Sequence, residues 1–348
     1  MLIGPLLSLA SAATVTELPP FLRGNVTIGY SYDHLGGALM ERGDDEVEVG
    51  DRTVSNHLLH YGVEFGVGPG VAAFVDLPHY VASSVSYGSL SEMVYDPSTD
   101  SGTYEGSTPG EPGTYVTGSA LAGAWIGARG TPFSETAFPK RKNRATWLLE
   151  AALRTGSGNS FWTMANGESR GAGPGGPAFR FHTAFSTTFN LSQPYVAWTY
   201  VGEGATTVDV YAQDGSLLQS GVEVDPANTH DVKAGVQVLA ARNDANGSQL
   251  AFDLHLKANY ATAQNVPSGF FLPQVLATTE GTIVQQSEQF EPGAGLAILW
   301  RPMDYMEIDL YGSAAWHLPQ RIESPYPIYT GADTLRLAVG SNLTVRIR

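Results

Sequence analysis

Residues 178–189 read AFRFHTAFSTTF. Phe179, Phe181, Phe185 and Phe189 fall on one face at period two, while Arg180, His182, Ser186 and Thr188 take the alternate positions. A strand built this way has one greasy face and one polar face, because successive side chains point to opposite sides. The greasy face needs a cover: a second sheet, a layer of helices, or lipid. No amphipathic helical period of useful length occurs in the chain, so helices cannot supply it.

The pattern recurs. In 250–260, Leu250, Phe252, Leu254, Leu256 and Tyr260 alternate with Asp253, His255, Lys257 and Asn259. In 305–317, Met306, Ile308, Leu310 and Trp316 alternate with Glu307, Asp309 and His317. In 335–347, Leu335, Leu337, Val339, Leu343 and Val345 alternate with Arg336, Asn342, Thr344 and Arg346. About twelve such segments are predicted, over 24–34, 54–67, 71–86, 114–128, 144–156, 177–189, 194–203, 229–241, 248–262, 290–300, 305–317 and 334–348. They approach the roughly 9–11 residues that a tilted strand needs to cross a membrane.

The links sort by length. Short ones, 68–70, 190–193, 242–247 and 301–304, are rich in turn residues. Between them come long links at 35–53, 87–113, 157–176, 204–230, 263–289 and 318–333, with 130–143 of middling length where a short one is due. Such alternation is expected of an all-β, transmembrane, up-and-down antiparallel β-barrel with short periplasmic turns and long outer loops. Lipid then covers the greasy face, and closure pairs every backbone group. Trp147 and Trp300 are predicted near periplasmic strand ends, with Trp198, Tyr200 and Trp316 at the other rim. The expected location is the bacterial outer membrane.

Composition agrees. The 348 residues carry a net formal charge of −15, only 15% of them are charged, 40 are glycine and none is cysteine. Disulfides, zinc clusters and thiol catalysis are excluded, and an acidic chain is a poor nucleic-acid partner. Residues 1–13, MLIGPLLSLASAA, read as the end of a secretory signal, leaving 14–348 as the barrel.

Residues 59–84, LHYGVEFGVGPGVAAFVDLPHYVASS, resemble the early hairpin of outer-membrane proteins of the phenol-degradation meta-pathway transporter family, itself similar to the fatty-acid-channel superfamily. The shared features are a Tyr-Gly-x-x-x-Gly strand, a tight glycine turn and a strand ending in Leu77-Pro78-x-Tyr80. AALRTG at 151–156 is similar to the family's Pro-Thr-Gly strand end, with Arg154 in place of the usual proline, and 185–204 resembles its next hairpin. The resemblance implies passage of a small solute, apolar or aromatic. The segment ahead of the first strand, 14–23, is too short for the hatch of fatty-acid channels. Gly340, Leu343 and Val345 match the signal by which barrel-assembly machinery recognises a last strand, although Ile347-Arg348 replaces the terminal aromatic.

Chemistry would reside on the polar face. Candidates for lumen lining and selectivity are Arg154, Arg180, His182, Asp253, His255, Lys257, Glu307, Asp309 and Arg336, with His60, Glu64, Asp76, Glu150, Lys233 and Arg346 also predicted inward. Two readings stand: a charge network that braces a narrow lumen, and a filter that selects solutes. No catalytic residue, cofactor or metal site is predicted. His182 and Ser186 are about 13 Å apart at strand rise, and no Gly-x-Ser-x-Gly elbow precedes a helix, because no helix is expected.

Among the loops, Asp44, Asp45, Glu46 and Glu48 form an acidic run suited to a solvated loop, or to cations bridging lipopolysaccharide. Lys140, Arg141, Lys142 and Arg144 form a basic periplasmic cluster suited to a solvated turn or to contact with anionic headgroups, and 157–177 is a Gly-rich stretch fit for a constriction or lid, or for a mobile loop. The function expected is a channel for a small solute. The alternative is a non-conducting structural or adhesive barrel that works through its outer loops. Expected partners are outer-membrane lipid, lipopolysaccharide, the solute and the assembly machinery.

Overall fold

The computed structural model describes residues 18–41, 47–87, 93–96, 101–104, 114–117, 120–134, 145–156, 164–165, 168–169, 176–211, 217–243, 245–267, 283–323, 328–330 and 333–347. The signal reading at 1–13, the acidic run at 44–46, the basic cluster at 140–144 and most of the Gly-rich stretch lie outside them.

Twelve strands form the wall: β1 (Gly24–Glu41), β2 (Val47–Gly68), β3 (Val71–Tyr87), β4 (Trp125–Phe133), β5 (Ala145–Arg154), β6 (Ala178–Thr187), β7 (Ser192–Glu203), β8 (Thr229–Asn243), β9 (Ser248–Ala261), β10 (Gln289–Met303), β11 (Met306–Trp316) and β12 (Leu335–Ile347). Each pairs antiparallel with its chain neighbours. β12 then pairs with β1, from Gly24↔Ile347 to Gly36↔Leu335, and closes the cylinder. Closure removes both sheet edges and their unpaired backbone groups.

The wall is inside out relative to a water-soluble barrel. Outward side chains are apolar and exposed, as Phe179, Leu254 and Leu256 are, whereas inward Asp33, Arg180 and Asp253 are at most 5% exposed. Lipid is the medium that turns this arrangement from a liability into a stable one. Trp147 and Trp300 sit on the outer surface towards the short-turn end, and Trp198, Tyr200 and Trp316 towards the other rim, as the girdle pattern requires. The His230 ring stacks on Trp198 at 6.0 Å and tilts against Tyr200 at 4.9 Å.

Tight turns join β2 to β3 and β10 to β11, and Gly70 takes the left-handed conformation (φ 69°) that the first of these demands. The long links carry hairpins of their own, among them Thr206–Tyr211 with Leu217–Val224.

Two predicted boundaries move. The expected strand 114–128 is divided: Thr114–Thr117 and Ala120–Leu121 pair with the far half of β3, then β4 begins at Trp125. Gly123, between them, has φ 83°, and a side chain there would meet the Thr155 carbonyl at 2.4 Å. β4 therefore runs on to Phe133, and the link predicted at 130–143 is shorter than expected. The link predicted at 35–53 is largely strand. β1 and β2 remain paired up to Glu41↔Val47, with inward Leu35 and Leu39 buried.

Candidate functional site

Alternation places the polar residues of β2 to β6 on the inner wall, where they form one network. Arg129 donates to Glu150 at 2.6 Å and to Glu64 at 3.2 Å. Arg180 donates to Glu150 at 2.6 Å and to Asp76 at 3.1 Å. Both guanidinium groups lie over the Phe74 ring, and Arg180 also covers Trp125 at 4.9 Å. Burial alone would penalise each charge by several kcal/mol, so this pairing is what makes the layer tolerable. Arg154, nearer the rim, pairs with Glu203 and donates to the Gly176 carbonyl.

On the facing wall Arg336 bridges Glu291 at 2.7 Å and Asp33 at 3.1 Å, and His317 contacts Glu291 at 2.8 Å. Along β9, His255 donates to Asp253 at 2.7 Å, Tyr195 donates to the same carboxylate, and Lys257 donates to Ser313 at 2.9 Å. At the short-turn end, Arg301 and Arg346 both donate to Glu307.

That end is also narrowed from within. The segment ahead of β1 is pinned to Gly66: Leu22 N–H donates to the Gly66 carbonyl, and Gly66 N–H donates to that of Arg23, both at 2.9 Å. Leu18 is thereby packed against inward-facing Leu148, Ala184 and Ala197. Short as it is, the segment reaches into the barrel.

Above it lies a cavity of about 400 Å³. One side is β4 to β8, with Arg129, Glu150, Arg180, His182, Asp231 and Lys233; the other is β11 through β3, with Glu307, Asp309, Thr344, Thr27, His60 and Asp76. Of its described lining residues, seven are Asp or Glu and five are Lys or Arg, so the space is net acidic.

Of the nine sequence candidates, Arg180, His182, Glu307 and Asp309 line this cavity. Arg154, Asp253, His255, Lys257 and Arg336 lie elsewhere on the inner wall, in the pairs described above. The sequence reading missed Arg129, although Trp125, Gly127 and Arg129 keep period two; the predicted strand stopped one residue short. It also missed Glu291, although the strand predicted over 290–300 contains it, and Leu18 to Pro20.

An outer-membrane channel from Pseudomonas putida F1 superposes on the chain with a TM-score of 0.53, covering 97% of this chain and all of that one at 9% identity. The fold is that of an outer-membrane β-barrel. A closed twelve-strand barrel with an apolar outer surface belongs in the bacterial outer membrane. Other similar structures are a FadL homologue from Pseudomonas aeruginosa (TM-score 0.40, 10% identity, 93% of this chain and 89% of that one) and a mutant of the TodX monoaromatic hydrocarbon channel (0.42, 9%, 97% and 93%). No protein-family model and no curated protein matches the sequence.

Proposed function

We propose that the chain is an outer-membrane channel, not an enzyme, and that a small amphipathic solute passes through its lumen. The observation that carries this reading is the cavity of about 400 Å³ enclosed by both walls. Its size lies within the range of small-molecule sites, and fits a solute of roughly one ring. Its lining mixes Leu18, Leu58, Leu148 and Ala197 with paired charges, which suits a molecule having an apolar body and a polar group. A barrel kept only as a scaffold for its outer loops has no need of such a space.

The competing reading, a non-conducting structural or adhesive barrel, draws on the salt bridges that brace the inner wall. Recording from purified protein in a planar bilayer separates the two. Steady unitary currents support the channel; silence from a folded barrel supports the scaffold.

A further inference from the structure

Among the described residues, Lys257 differs from six other lumen cations. Arg129, Arg154, Arg180, Lys233, Arg336 and Arg346 each lie within 4.0 Å of a carboxylate oxygen. The Lys257 ammonium instead donates to the Ser313 hydroxyl, Nζ to Oγ 2.9 Å. To reach it, the side chain leaves β9, crosses β10 and arrives at β11. The register sets Lys257 opposite Gly293, and Gly295 opposite both His255 and Ser313.

His255 takes the same route. Its Nε2 lies 2.5 Å from where a Cβ on Gly295 would stand, so the imidazole rests over that glycine. Its Nδ1–H donates to Asp253 Oδ1, because a carboxylate only accepts, and this holds the ring in place. Nε2 is buried without a hydrogen-bond partner among the described residues. Lys257 thus reaches the β11 serine while the His255 ring leans across β10 beside it, where glycine at 295 leaves room for the ring. Ser313 accepts from Lys257 and keeps its own O–H to donate. The convergence borders the cavity: Lys233, the register partner of Lys257, and Tyr311, the next inward residue along β11, both line it.

We propose that Lys257 and Ser313 form an anion-binding subsite in the lumen wall that takes the carboxylate of a small organic acid, with the His255 ring as its floor. One surplus positive charge and two donors match a monoanion with two acceptor oxygens. A phosphate dianion would call for more donors and more charge than the two residues offer. The inference deepens the channel reading and rests on it, because it names the class of solute that the lumen selects.

The test is a ligand-observed NMR titration of the full-length barrel in detergent, with sodium benzoate and, as a neutral analogue, benzyl alcohol. Benzoate is expected to bind saturably. Lys257→Met and Ser313→Ala should each weaken it by about tenfold or more, as expected for loss of a charge-assisted contact, and Lys257→Arg should restore most of it. Benzyl alcohol should not distinguish wild type from Lys257→Met. Thermal melts of each variant establish that it is folded. Equal benzoate binding by wild type and folded Lys257→Met, or none by wild type, overturns the subsite. Bilayer recording keeps the two claims apart: saturable binding by a barrel that never conducts supports the subsite and removes the path. Steady current unaffected by benzoate removes the subsite and leaves the path.

Discussion

Arg180 on β6 reaches Asp76 on β3, Nη2 to Oδ2 3.1 Å, with two strands of the wall between them. The contact is therefore a chord inside the barrel, unlike a contact along the wall between strand neighbours. Glu150, held by Arg180 and by Arg129, ties the chord to β4 and β5. Arg180→Met should destabilise the barrel by roughly 3 kcal/mol, because it leaves Asp76 and Glu150 buried with less compensation. Pairing it with Asp76→Asn should cost less than the sum of the single changes. Urea unfolding in lipid vesicles measures both.

The two faces of the wall should respond oppositely to charge. Phe252 and Leu310 point outward and are half exposed, so an arginine at either should cost about 2–4 kcal/mol near the bilayer midplane. Thr27 lines the cavity, where Thr27→Lys should cost far less. Equal losses in the same unfolding assay would contradict the placement of lipid outside and water within.

Much of this was legible because lipid imposes a strict two-residue code. Every strand that faces lipid on one side repeats that code, as 178–189 and 250–260 do, and the turns fall where glycine, proline and asparagine permit them. Legibility ended where the code changes. Beyond Asp33, β1 reads HLGGALME; its inward Leu35 and Leu39 are apolar, and paired glycines mimic a loop, so the sequence pattern there reads as a link although β1 and β2 continue through it. Partnership was hidden as well. Alternation says that Arg180 points inward, but not that it meets Asp76, because that depends on the diameter and stagger of the closed cylinder. The nine candidates therefore shared a face without sharing a site.

Glu307 and Asp309 both line the cavity, yet they should differ in role. Two arginines converge on Glu307, which fastens the end of β10 to β11 and β12. Glu307→Gln should lower the melting temperature. Asp309→Asn should instead move the reversal potential under a salt gradient towards anion preference, since it removes one carboxylate from a net acidic cavity. A shift in melting alone for both variants would assign both residues to bracing.

The segment at the short-turn end should limit flow. A Cβ at Gly66 would stand 2.2 Å from the Pro20 carbonyl oxygen, so Gly66→Val must displace the segment that carries Leu18. Leu18→Asp should expel it from Leu148, Ala184 and Ala197 by placing a charge among apolar side chains. Either change should raise unitary conductance while leaving the twelve-strand wall intact by circular dichroism. Unchanged conductance in both would show that the segment does not restrict the path.

The central claim is that solute passes through the lumen, and the chain offers a clean way to ask it because it contains no cysteine. A single cysteine at Thr27 would face the cavity; one at neighbouring Ile28 would face lipid. Currents are recorded from each variant before and after a charged methanethiosulfonate reagent is added. The lumen path predicts that modification at Thr27→Cys reduces the current and that Ile28→Cys is unaffected. Undiminished current after complete modification of Thr27→Cys, verified by mass, would contradict it.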